Sequence, residues 1–295
     1  MTHDLNGRAR YRRILRFFAW QLAIMWWYEI ALPKVGLIRL ADRTRDARMR
    51  GFARSFREIA VDLGGLMIKL GQFLSSRLDV LPPELTKELE GLQDEVPAVS
   101  YEQIRALAQE ELGFPIERVF AAVDENPVAA ASLGQVYRAR LGATDAEYMG
   151  FADVVIKVQR PGIDEVVAVD LAAMRRVASW LMRLRAVRRR VDMPALVEEF
   201  AQSSREEIDY LHEVGNAERF AECFADDPRV RVPKVVWERT TRRVLTLEDV
   251  SAIKISDLEG LRSAGIPPKE VASVFVAVML DQFFVHSFFH GDPPP

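Results

Sequence analysis

The feature that most constrains the fold is a lysine inside an apolar, β-branched segment. Residues 153–159, "DVVIKVQ", are typical of a strand, and residues 135–141, "QVYRARL", predict another. An unpaired ammonium group is costly to bury in such a strand. Lys157 is therefore predicted to have an anionic partner, unless the strand lies at a sheet edge and the lysine faces solvent.

The rest of the chain predicts an α+β fold. It has 295 residues, of which 49% are hydrophobic and 28% charged, enough for one large domain or two modest ones. The apolar patterns predict helices broken by prolines over 51–114, a loop over 142–150, helices over 164–187 and 193–224, two strands joined by a turn over 230–250, and a buried apolar helix over 270–289.

The N-terminal segment differs in charge from the remainder. Residues 1–50 carry eleven Lys and Arg against four Asp and Glu, net +7, whereas the whole chain has a net charge of −3. Three of the five tryptophans also lie here, which favours a helix over residues 8–32 lying in a membrane interface. The arginines expected at anionic headgroups are Arg8, Arg10, Arg12 and Arg13. Docking on the protein's own core is the alternative, and polar interruptions disfavour a spanning helix.

Two further observations concern the cellular setting. The single cysteine, Cys223, excludes an internal disulfide framework and favours a reducing, cytoplasmic location. Together with the basic, tryptophan-rich N-terminal segment, this predicts a protein peripheral to the inner face of a membrane. The basic run at residues 183–190 is either a solvated helix end or a contact for acidic lipid or a partner. Because no aromatic residues interleave with it, nucleic-acid binding is not indicated.

Two charged motifs lie on predicted helices. In "KLGQ", Lys69 and Gln72 are three residues apart and share a helix face. In "EEIDYLHE", Asp209 and Glu213 are four apart on one face, whereas Glu207 is rotated about 160° from Asp209 on a regular helix.

These spacings allow two assignments of the carboxylates. We favour Glu213 as the partner of Lys157, with Glu207 and Asp209 facing the "KLGQ" lysine and glutamine. The exchange of the two glutamates is the alternative.

An alanine-rich loop precedes the strand that carries the lysine. In "AAASLG", Ala129, Ala130 and Ala131 stand where glycines would let backbone N–H groups approach phosphate oxygens closely. Ser132 offers a hydroxyl donor, and Gly134 closes the loop. An ordinary β-turn is the alternative interpretation.

Together these motifs resemble the UbiB/AarF atypical kinase-like family, over roughly residues 50–292. "KLGQ" matches the family's KxGQ motif, and the run "SSRLDVLPPELTKELEGLQDEVP" that follows at residues 75–97 matches its usual continuation. "VVIK" resembles the kinase VAIK strand, and Glu207 with Asp209 matches the family's ExD motif.

The resemblance implies an order of domains. We expect a basic amphipathic segment at residues 1–50, a helical KxGQ extension at 51–118 and a kinase-like nucleotide-binding N-lobe at 119–250. This N-lobe would be a small antiparallel sheet with a long helix. Residues 251–295 would be the start of the helical C-lobe.

The resemblance also implies cofactors and site residues. ATP or ADP with Mg²⁺ would contact the alanine-rich loop, Lys157 and Glu213, and adenine would meet the main chain of Glu248 and Val250. Catalytic roles would fall to Asp292 of "HGDPPP" and to the KxGQ and ExD residues. The family's motif breaks off after Asp292, without its metal-binding asparagine and DFG-type aspartate. The chain is therefore expected to be a fragment or a disrupted form, and inactive by itself.

The function expected from the resemblance is an ATPase or phosphotransferase that supports ubiquinone or isoprenoid-lipid metabolism at a membrane. Its expected partners are nucleotide, isoprenoid quinone precursors or anionic lipid, and quinone-biosynthesis proteins. The alternative is a non-catalytic lipid-binding or scaffold protein that uses the nucleotide as a switch.

Overall fold

The structure is a computed structural model that describes residues 6–75, 89 and 98–291. Its contacts divide the chain into two units. The first contains Met1–Ala108, Glu125–Val136 and Val158–Ile208, and the second contains Gln109–Asp124, Tyr137–Lys157 and Asp209–Pro295.

Helices make up most of the described chain. They are α1 (Gly7–Trp26), α2 (Leu32–Lys34), α3 (Ile38–Arg43), α4 (Arg45–Leu63), α5 (Leu66–Ser75), α6 (Tyr101–Leu112), α7 (Ile116–Val119), α8 (Ala143–Met149), α9 (Ile163–Leu181), α10 (Arg185–Arg188), α11 (Met193–Glu207), α12 (Tyr210–Cys223), α13 (Leu258–Ser263) and α14 (Pro268–Asp281). Short π-helical segments follow α1 and α14, at Trp27–Ala31 and Gln282–His286.

The strands form a small sheet. They are β1 (Ala122–Val123), β2 (Ala129–Ala130), β3 (Gly134–Arg140), β4 (Asp153–Gln159) and β5 (Val244–Glu248). Their order is β1–β3–β4–β5, with β2 also paired to β3. Both β1 and β2 run antiparallel to β3, with Ala122 opposite Arg140 and Ala129 opposite Val136. The predicted combination of helices with a small antiparallel sheet is confirmed.

Three predicted elements were wrong in detail. Residues 142–150 contain helix α8 rather than a loop, because a helix-forming run lies between Gly142 and the left-handed Gly150 that ends it. Over 193–224 the predicted single helix is two, α11 and α12. Over 230–250 only β5 is a strand, and Val235 contributes one isolated bridge to Leu247.

The core of the first unit lies among α1, α4, α5, α9 and α11. Their apolar faces meet because the apolar residues recur at helical spacing. Ile14 of α1, Leu66 of α5 and Ala173 of α9 are all 0% exposed in this core.

A buried ion pair joins α1 to α9. Arg10 donates to the two carboxylate oxygens of Asp170 at 2.6 and 2.7 Å and to the carbonyl of Leu63 at 2.7 Å. The Arg10 and Asp170 side chains are only 7% and 0% exposed. Burial raises the pKa of Asp170, and the Arg10 guanidinium opposes that rise. Removing one partner of such a pair leaves an uncompensated buried charge, so α1 is a structural part of this unit.

The structure therefore shows α1 docked on the protein's own core, which was the alternative to a helix lying in a membrane interface. The expectation that Arg10 meets lipid headgroups was wrong, because its guanidinium is committed to Asp170. Trp20, Trp26 and Trp27 nevertheless remain 67%, 51% and 54% exposed. Within the described ranges, no helix has the length and apolarity needed to cross a bilayer.

The last helix of the second unit is not the buried core helix that we predicted. Helix α14 has no buried residue, and Phe284 in the π-helical turn after it is 81% exposed. The end of α14 is tied by Asp281, which accepts from Arg229 at 2.7 Å. Hydrogen bonds from Arg229 also lower the pKa of Asp227 to about 2.

Candidate functional site: two lysine–glutamate pairs

The first pair lies in the second unit, between β4 and α12. Lys157 Nζ is 2.6 Å from Glu213 Oε2, so the assignment that we favoured from spacing is the one the structure has. The same ammonium lies 4.8 Å from the centre of the Tyr210 ring. The lysine and glutamate side chains are 30% and 39% exposed, so the pair is accessible from solvent.

The start of α12 holds Glu213 in place. Asp209 is its N-cap and accepts from the Leu211 N–H at 3.2 Å. Tyr210, which is 1% exposed, packs in a cluster with Val214 and Leu245. Glu213 thus lies in the first turn of a capped and anchored helix, where the helix dipole favours a carboxylate.

This capping corrects the expectation for Asp209. We predicted its carboxylate beside Lys69 and Gln72, on a continuous helix. It instead breaks the helix, caps α12 and lies 3.6 Å from the Arg242 guanidinium. The physical reason is that a short acidic side chain satisfies the free N–H groups of a new helix better than it continues an old one.

The second pair lies in the first unit, between α5 and α11. Lys69 Nζ is 2.8 Å from Glu207 Oε2 and 2.9 Å from Oε1. Phe73 and Phe200 pack the same two helices together with ring centres 5.2 Å apart. Gln72 lies one turn along α5 from Lys69 and is half-buried. The structure therefore brings together the KxGQ lysine and the first carboxylate of the ExD motif.

The alanine-rich loop, also in the first unit, is an ordinary hairpin. Ala131 donates its N–H to the Gly134 carbonyl at 2.9 Å. Gly134 does not have the positive φ that would require glycine, so alanines are accommodated without backbone strain. Ser132 is only 6% exposed, which does not favour its predicted role as a hydroxyl donor to a ligand.

Sequence reasoning missed two residues that support these features. Arg160 follows β4 and donates from Nε to the Ala131 carbonyl and from its backbone N–H to the Leu133 carbonyl, both at 3.0 Å. The sequence feature that could have indicated Arg160 is its place directly before "PG", where the chain turns. Tyr210 shares a helix face with Glu213, three residues away, a spacing that would have revealed it.

The expected adenine contacts are only partly compatible with the structure. The backbone N–H of Glu248 donates to the Lys234 carbonyl at 2.8 Å, and its carboxylate accepts from Arg231 at 2.5 Å. The backbone N–H of Glu248 is therefore already engaged within the protein and does not point to an adenine contact. Val250 is half-buried. Asp292 lies outside the described residues.

The described residues offer no group of three or more His, Cys, Asp or Glu side chains arranged to hold a metal ion. They do fit a nucleotide phosphate at Lys157. An ammonium group has three donors, and Glu213 together with the Tyr210 ring orients the group while it stays partly exposed.

Comparison with known proteins identifies the family. A family profile described as the ABC1 atypical kinase-like domain matches residues 91–295. The Synechocystis protein sll1770 is 41% identical over 84% of this chain and 41% of its own length. The Arabidopsis thaliana protein ACTIVITY OF BC1 COMPLEX KINASE 8, chloroplastic, is 38% identical over 87% of this chain and 33% of its own length.

A solved structure titled as the complex of Rv3197 with erythromycin, from Mycobacterium tuberculosis, aligns at 26% identity and a TM-score of 0.47, covering 73% of this chain and 52% of that one. The chain spans well under half the length of the curated relatives described above. The family match itself covers more than two thirds of the chain and contains the VVIK and ExD motifs, whereas the KxGQ motif precedes the matched residues. The chain therefore belongs to the ABC1 atypical kinase-like family, the same family that its motifs resemble under the name UbiB/AarF.

Proposed function

We propose that the chain binds ATP with Mg²⁺ and that, together with the asparagine and DFG-type aspartate of the family's motif, it serves hydrolysis or phosphoryl transfer in support of isoprenoid-lipid metabolism, such as that of ubiquinone, at a membrane. The observation that carries the nucleotide part is the half-exposed Lys157–Glu213 pair. When bound, ATP with Mg²⁺ supplies the phosphoryl group and the metal charge.

The chain's own residues would act by position and charge. Lys157 neutralises phosphate oxygens with the donors that Glu213 leaves open. Glu213 fixes the direction of the ammonium, and Tyr210 supports it from the ring face. No proton transfer is required of either group, since phosphoryl transfer depends mostly on positioning and electrostatics.

The KxGQ lysine supports hydrolysis over protein phosphorylation. By the family resemblance, the KxGQ element covers the region where a protein substrate would bind. Lys69 is held by Glu207 through both carboxylate oxygens, and this contact fixes α5 against α11. We therefore propose water, rather than a protein side chain, as the acceptor.

Peripheral membrane attachment is the remaining part of the proposal. Three exposed tryptophans at the end of α1 and in the π-helical segment support it, because indole rings favour the membrane–water interface. Removal of this attachment is not expected to alter nucleotide binding.

The test is Mg–ATP affinity by calorimetry for the wild-type chain and the Lys157→Ala variant, with Lys269→Ala on the exposed start of α14 as the matched control. We expect Lys157→Ala to weaken binding at least about tenfold, since one charge-assisted hydrogen bond contributes ~1.5–3 kcal/mol. Circular dichroism should show an unchanged fold. Equal affinities in all three proteins would refute the nucleotide part of the proposal.

A further inference from the structure

A largely apolar cavity lies in the first unit, among α1, α4, α9 and the residues from α10 to α11. Its volume is ≈ 420 Å³, within the range of small-molecule sites, roughly 300–1,000 Å³. Leu22, Met25, Phe52, Val177 and Leu196 form part of its wall. Neither lysine of the two lysine–glutamate pairs lines it, so it is a separate feature.

Three of the charged residues of the cavity wall, Glu29, Arg45 and Arg48, lie together at one end. Glu29, after α1, accepts from Arg48 near the start of α4 at 3.2 Å. At the other end, the Phe18 and Phe56 rings lie 6.3 Å apart. The wall that α4 contributes runs from Arg45 to Phe56, a length of about 16 Å at ~1.5 Å per residue. The cavity therefore has a charged end and an apolar end.

The charged end has a net positive charge. Over the whole cavity, the three arginines Arg45, Arg48 and Arg190 stand against one carboxylate, Glu29, so the charges of the lining sum to +2. Arg190 belongs to the basic run at residues 183–190, which the proposed nucleotide function leaves without a role, and it is exposed. A planar guanidinium at such a position is well suited to bind a carboxylate or phosphate.

We propose that this cavity binds a single-chain amphiphile, with its apolar chain along Phe52 and Phe56 and its anionic head at Arg45 and Arg190. A cavity with apolar walls favours an apolar occupant over water. A wall of about 16 Å matches the depth that one lipid chain occupies in a leaflet, half of a hydrocarbon core of ~30 Å. The inference deepens the lipid part of the proposed function and is independent of the nucleotide.

The first experiment tests the apolar chain. Binding of hexadecanoate to the full chain, below its micellar concentration, is measured by calorimetry for wild type, Met25→Trp and Ala23→Trp. Met25 lines the cavity, whereas Ala23 is exposed on the other side of α1. We expect an indole at 25 to fill the cavity and weaken binding at least about tenfold, with Ala23→Trp unchanged. Equal binding by all three proteins, or butanoate binding as tightly as hexadecanoate, would overturn the proposal.

The second experiment tests the anionic head. Arg190→Glu should weaken hexadecanoate about fivefold to tenfold and leave hexadecanol unchanged, whereas Arg189→Glu, a neighbour that does not line the cavity, should affect neither. Hexadecyl phosphate in the same series distinguishes a fatty acid from a phosphorylated lipid as the preferred source of the head. If Arg190→Glu and Arg189→Glu act alike, the head is not bound here and the proposal fails.

A third measurement separates this inference from the nucleotide proposal. Met25→Trp should retain wild-type Mg–ATP affinity, and its circular dichroism and thermal unfolding should match those of the wild type, which shows that the first unit of the variant is folded. Loss of hexadecanoate binding with Mg–ATP binding intact supports the cavity. A wild-type chain that binds hexadecanoate but not Mg–ATP would refute the nucleotide part of the proposed function alone.

Discussion

The two lysine–glutamate pairs have nearly the same geometry but are supported differently. Both are half-exposed, with N–O distances of 2.6 Å for Lys157–Glu213 and 2.8 Å for Lys69–Glu207. Glu213 lies in the first turn of α12, whereas Glu207 is the last residue of α11. The helix dipole favours a carboxylate in the first turn of a helix, such as Glu213, and disfavours one at the last residue, such as Glu207.

Because their helix positions differ, the two glutamates depend on their lysines to different degrees. Glu213 is held by its helix even when the lysine engages another anion, so Lys157 can turn its free donors to a ligand. Glu207 depends on Lys69 for its stabilisation, and the two are better suited to tie α5 to α11. Similar ion pairs thus point to a ligand contact in one unit and to a structural contact in the other.

The largest expected effect separates the two glutamates. Glu213→Gln removes the charge that orients Lys157 and should weaken Mg–ATP binding about tenfold or more, since a hydrogen bond between charged groups contributes ~1.5–3 kcal/mol. Glu207→Gln is the matched change and should leave the affinity unaltered while lowering the melting temperature. Calorimetry and thermal unfolding measure the two quantities. If both variants bind Mg–ATP alike, the distinction between the pairs is wrong.

A smaller effect is expected at the alanine-rich hairpin in the first unit. Arg160→Met removes the side-chain donor to the Ala131 carbonyl and should lower the free energy of unfolding by about 1–2 kcal/mol. The exposed Arg175, paired with Glu198, offers a control, because its replacement by Met should cost less than about 1 kcal/mol. Urea denaturation of both variants gives the comparison. An equal loss in the two would mean that Arg160 does not support the hairpin.

Next in size is the pair of helix caps. Asp209 caps α12 and Asp192 caps α11, each accepting a backbone N–H at 3.2 Å. Replacement of either by Ala should cost about 1 kcal/mol of stability. Only Asp209→Ala should also weaken Mg–ATP binding, because that cap positions Glu213. Reduced affinity in Asp192→Ala, with none in Asp209→Ala, would contradict this assignment.

The smallest effect is expected at an exposed pair. Arg229 lowers the pKa of Asp227 to about 2. A lowered pKa in the folded state means that this contribution to stability is present above the ordinary value of 3.8 and is lost as pH falls toward 2. The small difference in melting temperature between wild type and Asp227→Asn should therefore shrink between pH 4 and pH 2. A difference that grows over that interval would show that the carboxylate is not held in this way.

The sequence predicted the contacts that depend on spacing and charge. Lys157 in an apolar strand required an anion, and of the two assignments that the carboxylates of "EEIDYLHE" allowed, the favoured one, with Glu213, is found in the structure. The position of Asp209 was not predictable from periodicity. The apolar pattern continues from α11 into α12, whereas the helix itself is interrupted where the Asp209 side chain caps α12. Likewise, Arg160 is remote in sequence from the loop carbonyls that it holds, and only the folded chain brings them together.

The Arg10–Asp170 contact has a consequence for the order of events during synthesis. Its partners are 160 residues apart in the chain, so at ~5–20 residues per second α1 waits roughly 8–32 s on the ribosome for α9. During this interval the arginine-rich, tryptophan-bearing helix can meet α4 and α5 but not α9 or α11, so the core that it covers is incomplete. Its amphipathic face is then open to a bilayer or a chaperone, and the first unit closes only when the carboxylate on α9 emerges. The membrane attachment proposed above would thus have an earlier stage, before α1 docks, besides the later one through the exposed tryptophans of the docked helix.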